Sequence, residues 1–193
     1  DYYDPTFLYL AVMSRTAGFR RGEMAGLMWG DIDWVNNKIT IQHNRIQVIE
    51  KRSKVKLPKT EKIRIFEMHK HVIDVLKLYK EWQEEILGRP VKDNEFVLQW
   101  EINLKKKYTC SVGKISRRWM EICNQINKNR IKLGKEELKY TGLHDGRHIY
   151  STWCLVGVVR EDGTKTPSAN VFQTYFSMGH SLPRGLQNTT TEV

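Results

Sequence analysis

Residues 16–23 read Thr-Ala-Gly-Phe-Arg-Arg-Gly-Glu, and this stretch decides how the amino-terminal part of the chain folds. Gly18 is typical of a residue that ends a helix, and a second short helix is predicted from about Arg21 to Trp29. Arg20 therefore lies in the turn between two helices, where its guanidinium projects into a cleft. Glu23 follows three residues later, where it can orient that arginine or complete the cap of the second helix.

Three further segments carry cations and imidazoles at spacings that suit a phosphate. His144 and Arg147 are three residues apart and share one face of a predicted helix. A bidentate cation beside a proton carrier that titrates near neutral pH suits a phosphate with a reacting oxygen. Lys59 lies in the basic stretch 51–62, between two strand-like runs, where a hairpin tip can contact backbone phosphates. The segments are Pro58-Lys59-Thr60, His144-Asp145-Gly146-Arg147-His148 and Gly179-His180.

The segment 144–148 also approaches the His-Glu-x-x-His pattern of zinc hydrolases, because His148 lies four residues after His144. Asp145 would shorten the general base of such a site. Gly146 weakens the helix that would have to hold both ligands. No third ligand stands at a familiar spacing, so the pattern does not favour a metal site.

The remaining sequence predicts helices around a small sheet. Asp4-Pro5 begins the first helix, and a long amphipathic helix over 69–87 stops at Gly88 and Pro90. A helix capped by Ser111 carries Ile115, Trp119, Ile122 and Ile126, and a polar loop follows at 127–139. Helices to about Leu155 and around 170–178 flank a loop at 160–168. Strand-like runs at 38–42, 46–49 and 62–66 complete the pattern. We expect one mainly helical α+β domain with an antiparallel sheet of about three strands.

Composition limits the classes of partner and compartment. The 193 residues carry a formal net charge of +10, and the pI is near 9.5, which favours a polyanionic partner. Cys110, Cys123 and Cys154 show neither zinc spacing nor a disulfide framework. There is no signal-peptide pattern and no apolar run of about 18 residues. We therefore expect a cytoplasmic protein that does not span a membrane.

In this order and at these separations, the four segments resemble the catalytic domain of the tyrosine recombinases, the phage-integrase family. The resemblance implies double-stranded DNA as the partner, and strand cleavage by a tyrosine that leaves a 3′-phosphotyrosyl link. It implies that neither ATP nor a metal ion is needed, because the covalent link conserves the phosphodiester energy. The family usually has Leu where Gly146 stands, so we expect a looser start to that helix.

The resemblance also implies a role for each candidate residue. Arg20 and Arg147 would clamp the non-bridging oxygens and stabilise the transition state, with Glu23 supporting Arg20. Lys59 would be the general acid for the leaving 5′-oxygen. His144 would assist proton transfer at the attacking phenol, and His180 would hydrogen-bond the phosphate. Further candidate DNA contacts, some of which are rivals for these roles, are Arg21, Lys54, Lys56 and Lys62.

The nucleophile of the family has no counterpart here. No tyrosine follows His180, and Tyr150 and Tyr175 precede it within apolar helical stretches. We therefore expect residues 1–193 to be a catalytic domain without the nucleophile segment and without the amino-terminal DNA-clamping domain usual in the family.

Such a fragment would position a phosphate without cutting it. The resemblance implies a tetramer on paired DNA sites for a whole protein, and a monomer or weak self-association for this fragment. A degenerate integrase, which is a DNA-binding module of the same fold without catalysis, is the leading alternative. A type IB topoisomerase is less favoured, because Pro58-Lys59-Thr60 and Gly179-His180 are integrase-like.

Overall fold

Helices predominate over strands in the computed structural model, which describes residues 5–47, 53–56, 63–103, 106–109, 112–160, 162–169 and 174. The first helix begins at Pro5, whose fixed φ suits a first turn, and the chain reverses at Gly18 with φ +62°. The third helix ends at Gly88 in a left-handed C-cap. These ends agree with the sequence prediction. The helices are α1 (Pro5–Arg15), α2 (Arg21–Gly26), α3 (Lys70–Leu87), α4 (Val112–Lys132) and α5 (Leu143–Val156).

A three-stranded antiparallel sheet packs beside the helices, as the sequence predicts, although Ile46 of the predicted run at 46–49 pairs in a separate hairpin. Its strands are β1 (Ile32–Asp33), β2 (Lys38–Ile41) and β5 (Arg64–Glu67), with β2 in the centre. Ile39 lies opposite Phe66, and both side chains are buried. Since strand residues alternate between the two faces, this register also sends Ile41 inward.

Two hairpins lie outside that sheet, and the sequence patterns predict only part of them. They pair β3 (Asn44–Gln47) with β4 (Ser53–Lys56) and β6 (Gln99–Asn103) with β7 (Lys106–Thr109). β3 begins two residues before the predicted run at 46–49. β4 lies in the basic stretch, where lysines give little local preference for a strand. Its pairing with β3 in a hairpin supplies the order that its own residues do not favour.

The predicted polar loop at 127–139 is wrong in its first part, because α4 continues to Lys132. Arg130 and Lys132 occupy its last turn, where positive charge stabilises the carboxyl end of a helix. The amide of Asn127 also pairs with the backbone of Leu138 in both directions, at 2.9 and 3.0 Å, and so holds the returning chain. Polar residues therefore continue the helix here instead of ending it.

α1 crosses the centre of the core. Tyr9 stacks on Tyr79 of α3 with ring centroids 5.2 Å apart, and Phe7 stacks on Trp119 of α4 at 4.9 Å. Burial of each such ring stabilises the fold by about 1.5–3 kcal/mol. The turn after α1, which carries Arg20, is thereby fixed to the core. Among the helices that the structure describes, none is both long and apolar enough to cross a membrane.

The predicted helix at 170–178 and the proposed cap Ser111 lie outside the described residues. Thr174, the one described residue of that segment, is helical and buried.

Candidate active site

Arg20 and Glu23 form a unit at the start of α2. The backbone N–H of Arg20 donates to Oε2 of Glu23 at 2.8 Å, and its Nη1 donates to Oε1 at 2.9 Å. The same carboxylate therefore caps the helix and orients the arginine, as the sequence predicts for Glu23. The Glu23 side chain is only 1% exposed, whereas that of Arg20 is 22% exposed. The unit thus rests on the core and presents a guanidinium towards solvent.

A third arginine, Arg64 of β5, joins this unit, and the sequence analysis did not identify it. Its Nη2 lies 2.6 Å from Oε1 of Glu23, and its side chain is 9% exposed. Ile65, its neighbour in the strand, is 67% exposed. The strand therefore turns its charged residue inward and an apolar one outward. Arg64 shares a face with buried Phe66, two residues on, and this alternation was the signal that could have found it.

Arg147 reaches the same place from α5. It is 3% exposed, and its Nη1 donates to the carbonyl oxygen of Gly18 at 2.5 Å. Gly18 adopts φ +62°, and any side chain there would collide with the ring of Tyr150. Gly18 is therefore required both for the turn and for the close approach of α5. The contact places the guanidinium of Arg147 beside the turn that carries Arg20.

Gly146 explains how α5 approaches α1 so closely. A Cβ at this position would lie 2.8 Å from Oγ and 3.0 Å from Cβ of Ser14 in α1. The helix begins regularly at Leu143, and Oδ2 of Asp145 accepts the N–H of Gly142 at 2.8 Å. The expected looser helix start is therefore not observed. Gly146 is buried against its neighbour helix, and Asp145 acts as a helix cap.

The three guanidiniums give the site an excess of positive charge. Burial, reinforced by the neighbouring charge of Arg20, lowers the pKa of Arg147 to about 10, whereas Glu23 acts to raise it. Burial likewise lowers the pKa of Arg64, against the opposing effect of Glu23. Three cations thus share the field of one carboxylate. A bound anion such as a phosphodiester would relieve their repulsion, because Coulomb interactions are strong where water is excluded.

His144 lies one turn before Arg147 on α5 and is exposed. Its ring meets that of His148 edge to face, with centroids 5.1 Å apart. An exposed imidazole one turn from a buried arginine can exchange protons with a group bound at that arginine. Within the ranges that the structure describes, no three His, Cys, Asp or Glu side chains are grouped closely enough to hold a metal ion.

Of the other predicted residues, the structure gives a contact of Arg21 and the strand register of Lys54 and Lys56. Arg21 is exposed, and its Nη1 donates to Oγ of Ser116 in α4 at 3.0 Å, away from the Glu23 unit. Lys54 and Lys56 lie in β4, opposite Ile46 and Asn44. Lys59, Lys62 and His180 lie outside the described residues, so their roles stay predictions.

Solved structures show what fold this is. The Tn1549 transposon integrase in complex with a circular intermediate DNA superposes with a TM-score of 0.68 at 19% identity, over 97% of this chain and 55% of that one. The same integrase with transposon right end DNA gives 0.66 at 19% identity, over 98% and 54%. XerA recombinase gives 0.52 at 18% identity, over 100% and 61%.

The chain therefore has the fold of a tyrosine-recombinase catalytic domain. It spans just over half the length of the integrase chains that it matches. No protein-family model and no curated protein sequence matches it. At these identities the likeness is one of fold.

Proposed function

We propose that these residues form the catalytic domain of a site-specific DNA recombinase, which cuts and rejoins a strand through a 3′-phosphotyrosyl link. The observation that carries the proposal is the cluster of Arg20, Arg64 and Arg147 around Glu23, at the end of α1 in a recombinase fold. Double-stranded DNA is supported as the partner by the net charge of +10. The DNA complexes of the Tn1549 integrase support the same partner.

The arginines would hold the scissile phosphate. Arg20 and Arg147 would donate to its non-bridging oxygens, where negative charge grows as phosphorus becomes pentavalent. Both are already held before DNA arrives, Arg20 by Glu23 and Arg147 by the carbonyl of Gly18. Preorganised donors do not have to reorient during the reaction, and this is the main source of their catalytic effect.

The proton transfers would use the remaining candidates. A tyrosine oxygen forms a bond to phosphorus while the bond from phosphorus to the 5′-oxygen breaks. Lys59 would give a proton to that leaving oxygen, and His144 would accept the phenolic proton. His180 would hydrogen-bond the phosphate. The phosphodiester energy remains in the phosphotyrosyl link, so religation by the 5′-hydroxyl needs no other energy source.

The nucleophile would come from outside the 193 residues. Tyr150 packs its ring against Gly18 at the base of the site, and it is three residues after Arg147 on the same helix. That position makes Tyr150 part of the scaffold of the site. We propose that residues 1–193 bind DNA without cutting it, and that a whole protein works as a tetramer on paired sites.

The test compares the 193-residue chain with the longest native chain that contains it. Each is incubated with nicked suicide duplexes carrying candidate sites, and a protein–DNA adduct is sought on a denaturing gel. We expect an adduct only with the longer chain, and salt-sensitive DNA binding by both. A Tyr150→Phe variant of the longer chain should still form it.

Two outcomes would contradict the proposal. An adduct formed by the 193-residue chain, and lost in Tyr150→Phe, would make Tyr150 the nucleophile. Salt-sensitive binding without an adduct from either chain, on DNA that includes the correct site, would favour the non-catalytic DNA-binding module.

A further inference from the structure

We propose that Arg64 is a positioning residue of the phosphate site, holding Glu23 so that Arg20 faces the scissile phosphate. The inference rests on the proposed function and adds to it a residue outside the four sequence segments. Arg64 and Arg20 contact the same oxygen of Glu23, at 2.6 and 2.9 Å. The carboxylate of Glu23 is therefore shared by the two arginines.

The contacts fix the carboxylate from two sides. Oε2 of Glu23 accepts the backbone N–H of Arg20 at 2.8 Å, while Oε1 lies between the guanidiniums of Arg20 and Arg64. The contact from Arg20 comes from the start of α2. The contact from Arg64 comes from the sheet, in which Arg64 pairs with Ile41 of β2. Without Arg64, one oxygen would lose its partner from the sheet, and Arg20 could draw the carboxylate towards solvent.

The sharing also affects the charge that Arg20 presents. A carboxylate that pairs with one arginine neutralises most of the charge of that arginine. Here the single carboxylate of Glu23 pairs with two arginines, Arg20 and Arg64. The pair keeps an excess of positive charge, and Arg20 is the more exposed member, at 22% against 9%. The field is thus directed towards the side from which DNA would approach.

The cost of burying Arg64 points to the same role. A buried guanidinium in a strand is unfavourable unless it is paired, and an apolar residue at this position would pack on Phe66 without that penalty. Arg64 does lie over the Phe66 ring, 5.5 Å from its centroid. Arg64 also follows Lys59, the proposed general acid, by five residues.

The experiment uses the longest native chain and measures two quantities on one nicked suicide duplex. These are the single-turnover rate of adduct formation and the Kd for the DNA. We expect Arg64→Met to lower the rate by about 100-fold, the effect of a misplacement near 1 Å, and to change Kd little. Arg64→Lys keeps the charge but loses the planar guanidinium, and should recover part of the rate.

Arg45→Met is the matched control. Arg45 is also buried in a strand and lies over an aromatic ring, that of Phe96 at 4.8 Å. The Arg45→Met variant should be less stable, but the protein that remains folded should form the adduct at the native rate. Equal rate losses in Arg45→Met and Arg64→Met would overturn the proposal. So would an unchanged rate in Arg64→Met, or a rise in its Kd as large as its loss of rate.

A second readout separates this inference from the proposed function. In a ¹⁵N NMR spectrum, the Nη–H signal of Arg20, whose Nη1 donates to Glu23, should be resolved in the native chain and in Arg45→Met, and lost in Arg64→Met. If the native chain forms no adduct, the recombinase proposal fails. Loss of the signal would then still support Arg64 as the residue that positions Arg20, in a site that binds phosphate without cutting. A retained signal would overturn it.

Discussion

The Nη1 atom of Arg147 lies 2.5 Å from the carbonyl oxygen of Gly18, although the two residues are 129 positions apart in the chain. Gly18 exposes that carbonyl because its φ of +62° reverses the chain after α1. A backbone oxygen cannot change rotamer, so it holds a guanidinium more firmly than an exposed side chain would. The position of Arg147 thus depends on the conformation of one glycine.

Gly18→Ala should destabilise the protein through two separate effects. Alanine at φ +62° costs about 1–2 kcal/mol of backbone strain. The added methyl would also collide with Tyr150, which adds about 1–3 kcal/mol. The free energy of unfolding in urea measures the sum. Gly88→Ala is the control, because Gly88 has the same φ and no atom within 4 Å of the added carbon. Equal losses in the two variants would contradict the close packing of Tyr150.

Gly146→Ala should lower stability, although alanine normally stabilises a helix by about 1 kcal/mol relative to glycine. The reason is Ser14, whose Cβ would lie 3.0 Å from the new methyl. Thermal unfolding of the single variant, of Ser14→Gly and of the double variant forms a double-mutant cycle. In the Ser14→Gly background the alanine should become neutral or stabilising. A stabilising Gly146→Ala in the unmodified chain would show that α1 and α5 are not in contact here.

Inorganic phosphate should raise the Tm of the chain, because it relieves repulsion among buried arginines. At 100 times its Kd, a ligand that binds only the folded state stabilises it by about 2.7 kcal/mol. Arg147→Met should reduce the shift, and Arg118→Met should not, since Arg118 lies partly exposed on α4 and pairs with Glu121. Sodium chloride at equal ionic strength controls for screening. Identical shifts in both variants would indicate a general salt effect.

The part of the phosphate-induced rise in Tm that depends on Arg147 should be nearly the same at every pH between 6 and 9. Burial lowers its pKa to about 10, so the group is charged throughout this range in both folded and unfolded chains. The burial penalty is therefore fully present below pH 10, and it is relieved only as the pH rises above about 10. A phosphate shift whose Arg147-dependent part disappears by pH 9 would contradict this.

Arg147→Ala in the longest native chain should abolish strand cleavage while most of the DNA affinity remains. Removing one preorganised donor to a developing anion lowers the rate by about 10²–10³-fold. Arg147→Ala removes a whole guanidinium, so we expect a larger loss. DNA affinity is spread over many phosphate contacts, so one buried residue contributes little to it. Adduct formation and Kd on the same duplex measure the two effects. Parallel loss of both would contradict the assigned role.

Local sequence was enough to predict the start of α1, the reversal at Gly18, the end of α3 and the Arg20–Glu23 unit. Pro5, Gly18 and Gly88 act through their own backbone preferences, and Glu23 lies one turn from Arg20. Such effects extend over a few residues, so they can be read from a short stretch of sequence. The same holds for His144 and Arg147, whose spacing of three places them on one helical face.

The family resemblance implies that Arg20 and Arg147 meet, but only the tertiary structure shows how they do so and that Arg64 joins them. Arg64 reaches Glu23 only because β5 pairs with β2 in the register that sets Arg64 opposite Ile41. Arg147 reaches Gly18 only because Gly146 lets α5 approach α1. The strand β4 was missed because its lysines give little local preference for a strand, and its pairing with β3 supplies what the local sequence does not. Contacts between distant residues depend on the packing of whole elements, which no short stretch of sequence contains.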